Sequence, residues 1–164
     1  SGAVQADREA LAFLGHDNGL LPDLSVAENM ALYAGSGIEA DPEICEALGV
    51  SMLSEKPVRT LSFGQARRVA LALTCLPSKS VWLLDEPFAG VDPIAVAEIR
   101  TLVSDLKTRG IGVLITDHSV RETLSITDRA YIINDGEIIT SGKPIDVAQD
   151  EKVKQIYLGN EFSF

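Results

Sequence analysis

The chain is 164 residues long, enough for one domain around a single hydrophobic core. With 46% hydrophobic residues, 23% charged and a formal net charge of -10, it is too acidic for a nucleic-acid surface, which needs a basic face against phosphates. No apolar run approaches the roughly 18 residues of a membrane span and no signal peptide is legible; Cys45 and Cys75 lack metal-ligand spacing, so a reduced cytosolic setting is expected.

Residues 10–15, ALAFLG, are a short apolar run ending in glycine and predict a buried strand. A turn-rich loop, HDNGLLPDL, follows. Residues 25–35 predict a helix, with Ser25 as N-cap, Glu28 closing a capping box and Gly35 at the exit. The polar stretch 36–60 leaves room for one short helix around residues 42–48. From Gln65 the run QARRVALALTCL predicts a helix of small and apolar residues, stopped near Pro77. Residues 80–87, SVWLLDEP, form a continuous apolar run closed by two carboxylates, the pattern of a central parallel strand.

Asp92 and Pro93 open the next helix as N-cap and first-turn proline. Its apolar stripe is Ile99, Leu102, Val103 and Leu106, and Gly110 ends it. Residues 112–117, GVLITD, predict another buried strand, and SVRETLSI predicts a second capping box from Ser119 and Glu122. Asp135-Gly136 between two apolar runs predicts a hairpin. A last helix is expected from about residue 144 to 158. Strands alternating with helices make an α/β fold with a mostly parallel sheet.

Three stations carry chemistry. In LSFGQ, Ser62 and Gly64 precede a helix and offer a hydroxyl and backbone N–H groups at the positive end of its dipole, an arrangement that suits an anion. The plainer reading of Ser62 is a helix cap. In VWLLDEP, Asp85 ends a buried strand, where a carboxylate can hold the water shell of Mg²⁺, and Glu86 is placed to orient or deprotonate a water. The plainer reading is a solvated strand end. In LITDHS, His118 leaves a strand on the same sheet edge if the strands are parallel, which is where open α/β sheets bind ligands.

Taken in order and spacing, LSFGQ, VWLLDEP, AGVD and TDH resemble the second half of an ABC transporter ATPase, over nearly the whole chain. The resemblance implies a P-loop NTPase-like three-layer sandwich with a small helical subdomain, and the use of ATP and Mg²⁺. It makes Leu61, Ser62, Phe63, Gly64 and Gln65 the signature motif, Asp85 the Walker B aspartate and Glu86 the catalytic glutamate. Ala89, Gly90, Val91 and Asp92 become the D-loop, and His118 the switch histidine. It divides the chain into a helical and signature part (25–78), a core part (79–143) and a C-terminal helix and tail (144–164).

Two residues depart from the family pattern. Phe63 stands where a small residue is usual and is expected to crowd the phosphate side. His16 stands where a glutamine normally touches the metal and couples to the membrane partner. A larger departure is that no G-x-x-x-x-G-K-[ST] stretch is legible: the only Gly-Lys pair, Gly142-Lys143, is followed by proline. The adenine-stacking segment that opens family members is not legible either. The fold is therefore expected to be incomplete, with open strand edges that rearrange, pair with another copy or leave the chain marginally stable.

The resemblance also implies a head-to-tail partner ATPase domain, whose site this signature completes in trans, and transmembrane permease subunits that meet residues 16–34. It places the protein at the cytoplasmic face of the bacterial inner membrane, without insertion. The C-terminal part is similar to lipopolysaccharide-export ATPases and the N-terminal part to haem-exporter ATPases of cytochrome c maturation, as in a mosaic. Lipopolysaccharide export is the leading expectation. A haem exporter and an inactive fragment keeping only the fold are the alternatives, and the chain alone is expected to be inactive.

Overall fold

The computed structural model describes residues 10–35, 40–74 and 79–158, and the predicted helix stop at Pro77 lies outside them. Two compact units divide at Thr116 and Asp117. In the first, β1 (Leu11–Leu14), β2 (Val81–Asp85) and β3 (Gly112–Thr116) form a parallel sheet in the order β1-β2-β3. The register sets Leu14 beside Leu84 and Leu84 beside Ile115. The apolar run of β2 thus occupies the centre, as its unbroken hydrophobicity predicts.

Among the described residues this unit also has four α-helices, α1 (Val26–Ala34), α2 (Pro42–Ala47), α3 (Phe63–Thr74) and α4 (Pro93–Thr108), with short 3-10 turns at Ser51–Leu53 and Val58–Thr60. Each start has a local cause. The Ser25 hydroxyl accepts from the Glu28 N–H at 3.2 Å while the Glu28 carboxylate accepts from the Ser25 N–H at 2.7 Å, so the predicted capping box forms. Asp41 caps α2, and Asp92 caps α4 through the N–H groups of Ile94 and Ala95. The α4 stripe Ile99, Leu102, Val103 and Leu106 is buried as its spacing requires, and Gly110, at φ 78°, follows the helix.

Only one face of the sheet is buried. Ala12, Leu14, Trp82 and Leu84 point into the core, where α3 packs on β1 and α4 on β3. The alternate residues Phe13, Leu83 and Leu114 stand side by side on the opposite face, and Phe13 and Leu114 are 66% and 57% exposed. The strands expected to be wholly buried at residues 10–15 and 112–117 are therefore corrected. Among the described residues each is an edge strand with one neighbour and one covered face, so burial alternates with the pleat.

In the second unit, α5 (Val120–Leu124) precedes a hairpin of β4 (Ala130–Asn134) and β5 (Glu137–Gly142). Asp135 and Gly136 turn it with φ of 50° and 80°, the paired positive angles that an Asp-Gly hairpin takes. Leu124, Ile132, Val147, Ala148 and Val153 form its core.

Two expectations fail here. Ser119 caps nothing with its hydroxyl, because its ψ of 72° is not the extended geometry from which a side chain reaches the third amide of a helix; instead the Asp117 carboxylate accepts from the Ser119 N–H at 2.7 Å. The single helix over 144–158 is two pieces, α6 (Pro144–Gln149) and α7 (Glu151–Val153), the latter running into a wide turn over Lys154–Leu158. Asp150 is extended between them, and its carboxylate accepts from the Lys152 and Val153 N–H groups, so it starts a new turn rather than continuing the old one.

Candidate functional site

The parallel pairing of β2 with β3 puts Asp85 opposite Thr116 at the C-terminal end of the sheet. The Thr116 hydroxyl donates to Asp85 Oδ1 at 2.6 Å and fixes that carboxylate. The next residue, Glu86, has φ of 52°, a left-handed backbone that a non-glycine residue rarely adopts and that costs about 1–3 kcal/mol. Its N–H donates to the Thr116 carbonyl at 2.6 Å. The side chain then meets His16, from the loop after β1, with Oε2 3.4 Å from Nδ1. The two acids closing the strand thus face different partners: a hydroxyl holds Asp85, and an imidazole stands beside Glu86.

Sequence reasoning missed Arg67. This α3 residue is 1% exposed. It donates to the Gly15 carbonyl at 2.6 Å, the His16 carbonyl at 3.3 Å and Asn18 Oδ1 at 3.1 Å, and through its other terminal nitrogen to the Asp85 carbonyl. A buried guanidinium is tolerated only with such a set of acceptors. The signal was present in the sequence: Arg67 shares the buried helix face of Gly64 and Leu71 at i, i+3, i+7 spacing, a charge in an apolar stripe. Its neighbour Arg68 pairs with Glu98 at 2.9 Å and ties α3 to α4.

At the start of α3, Ser62 and Gln65 form a second capping box. The Ser62 hydroxyl accepts from the Gln65 N–H at 3.2 Å, and Gln65 Oε1 accepts from the Ser62 N–H at 3.0 Å. The plainer role of Ser62 is therefore realised, and the hydroxyl keeps its own O–H for a further acceptor. Gly64 lies against the backbone of the loop before α4, since a Cβ there would stand 3.5 Å from Val91 Cα and 3.7 Å from the Gly90 carbonyl. The Asp92 carboxyl sits below the usual range, chiefly through the Ala95 N–H, with help from the Ile94 N–H and the Arg68 charge.

The first unit therefore gathers two sets: Asp85, Glu86 and His16 around the sheet end, and Ser62, Phe63, Gly64 and Gln65 against Gly90, Val91 and Asp92. His118 belongs to the second unit, where its Nδ1 is 3.8 Å from Asp117 Oδ1 and its side chain is 70% exposed. A cavity of about 660 Å³ opens along β1, bordered by His16, Asn18, Tyr33, Lys79 and Asp85.

A family model described as ABC transporter matches residues 2–89. The lipopolysaccharide export system ATP-binding protein LptB of Acidithiobacillus ferridurans is 46% identical over 139 residues, covering 85% of this chain and 58% of that protein. The LptB of Haemophilus influenzae is 39% identical over 163 residues, covering 94% and 68%. Among solved structures, MJ1267, an ATP-binding cassette of an ABC transporter in its ADP conformation, has a TM-score of 0.73 at 26% identity, covering 92% of this chain and 69% of that one. CbiO1 of Clostridium perfringens, part of the ABC transporter complex cbiONQ, has a TM-score of 0.70 at 30% identity, covering 91% and 64%. The chain thus spans about three fifths to two thirds of the length of these relatives. On the matched model, the identities and the shared parallel sheet, it belongs to the ABC transporter family, among the ATP-binding cassette domains.

Proposed function

We propose that the chain is part of the ATP-binding and ATP-hydrolysing subunit of an ABC export system, with lipopolysaccharide as the exported material. The observation that carries the reading is the 46% and 39% identity to proteins named for lipopolysaccharide export, over 85% and 94% of the chain. Its partners on this reading are a second ATPase domain, packed head to tail, and permease subunits in the bacterial inner membrane. No helix among the described residues is long and apolar enough to cross a membrane, in keeping with a peripheral subunit at the cytoplasmic face.

The residues present suit the cation of MgATP, while no phosphate-loop stretch is legible in the sequence. No cluster of three metal-ligating side chains occurs among the described residues, so a cation would rest on Asp85, water and phosphate oxygens, the way Mg²⁺ is commonly held. Bound MgATP supplies the phosphoanhydride that is hydrolysed. Asp85, its carboxylate fixed by Thr116, would hold the cation's water shell. Glu86 would take a proton from the attacking water, and His16 would orient that carboxylate. His118 would sense the γ-phosphate, a role that rests on the family resemblance. Ser62, Gly64 and Gln65 would present the Ser62 hydroxyl, the Gly64 backbone and the Gln65 side-chain amide to the nucleotide of the partner, with Phe63 and Asp92 shaping the adjoining D-loop.

The test is nucleotide-dependent pairing. This chain is mixed with full-length LptB of Haemophilus influenzae, and the complex is followed by light scattering with and without MgATP. Pairing that requires MgATP and disappears with Ser62→Arg is expected. No pairing, or pairing indifferent to nucleotide and to the substitution, would sink the reading.

A further inference from the structure

Arg67 faces two structures that the proposed chemistry needs in register, and it lies one turn into the helix that begins with the signature residues. One side of its guanidinium takes the carbonyls of Gly15 and His16 and the side chain of Asn18, which fixes the backbone of the loop after β1. The other side takes the carbonyl of Asp85. That carbonyl belongs to the peptide whose N–H is that of Glu86, and this N–H is held by the Thr116 carbonyl at 2.6 Å. The Asp85–Glu86 peptide is therefore clamped at both ends, and the clamp sets the plane from which Glu86 departs at φ 52°. The same guanidinium holds the backbone of His16, whose ring stands 3.4 Å from Glu86 Oε2. Two side chains from distant parts of the sequence meet because one planar, rigid cation anchors both backbones.

We propose that Arg67 is a positioning residue that sets the His16–Glu86 pair and ties it to the signature helix α3. The consequence for hydrolysis rests on the reading of Glu86 as the proton acceptor, but the geometry does not. Any displacement of α3 that moves Ser62 and Gly64 also pulls on the loop of His16 and on the peptide of Glu86. A lysine in place of Arg67 keeps the charge but is a point donor, and it cannot span both anchors.

The test uses the 164-residue chain without nucleotide, so failure of the ATP reading leaves its outcome untouched. The chain has two histidines, which makes their imidazole nitrogen resonances a simple spectrum. In the parent chain, Glu86→Gln is expected to shift the His16 Nδ1 signal, because the group beside that nitrogen changes from carboxylate to amide. In the Arg67→Gln and Arg67→Lys backgrounds the same change is expected to produce no shift. A shift of equal size with and without Arg67 would overturn the proposal. Loss of the dispersed spectrum in both Arg67 variants would overturn it too, by assigning Arg67 to folding alone.

Discussion

Phe63 occupies the space where a side chain at Gly90 would stand: a Cβ there would lie 2.8 Å from Phe63 Cδ1 and 3.4 Å from Cε1. Gly90 also has φ of 63°. Phe63, at the start of α3, is thus laid along the loop before α4, and the residue is still 47% exposed. The two motifs interlock through a ring and a glycine.

Gly90→Ala is expected to destabilise the chain by about 1–3 kcal/mol, since it adds both the collision and an unfavourable backbone angle. The urea midpoint should fall without a change in slope. In a Phe63→Ala background the loss should be smaller but not absent, because the ring is gone while the angle remains. Equal losses in both backgrounds would deny the contact.

Glu86 holds a left-handed backbone at φ 52°. Glu86→Gly should raise stability by about 1 kcal/mol, while Glu86→Ala should not, because only glycine is relieved at φ 52°. Urea unfolding of both variants checks this. Hydrolysis by an assembled pair should fall about 10²–10⁴-fold in either.

Acid weakens the fold through its caps. The Asp92 carboxyl is held low chiefly by the Ala95 N–H, that of Asp150 by the Lys152 N–H, and that of Glu28 by the Ser25 N–H. Each is bound more weakly by protons in the folded state than in the unfolded one. Their stabilisation is therefore present above the ordinary carboxylate range near pH 4 and lost as pH falls through the lower folded values. Asp92→Asn keeps an acceptor at the helix start, so its urea midpoint should depend less on pH between about 5 and 2 than that of the parent chain.

The two faces of the sheet should respond oppositely. Leu71, fully buried on α3, should cost about 2–5 kcal/mol when cut to alanine. Phe13→Ser with Leu114→Ser, on the open face, should change stability by about 0.5 kcal/mol or less for each residue while lowering the fluorescence of an added apolar dye. Undiminished dye binding would mean that this face is not the exposed apolar surface of the chain.

Much of the local structure was legible in the sequence, because its causes act within a few residues. The central strand followed from the unbroken run VWLLD, the starts of α1 and α4 from Ser25, Glu28 and Asp92, and the hairpin from Asp135-Gly136. The candidate site was legible as separate motifs: Asp85 and Glu86 by their place at a strand end, Ser62 and Gly64 by theirs before a helix. Near Asp150 the same local reasoning misled, since a carboxylate that caps the following turn competes with the helix it interrupts.

What the sequence by itself determined, then, was the kind and order of the elements and the residue types at their ends. Only the tertiary structure decided that His16 meets Glu86, that Arg67 holds the backbone of both, and that Phe13 and Leu114 remain in water. These facts depend on which strands become edges, which face the helices cover and how distant segments fall into register. Spacing along the chain carries caps, turns and stripes, but it holds no record of which remote carbonyl a buried guanidinium will find.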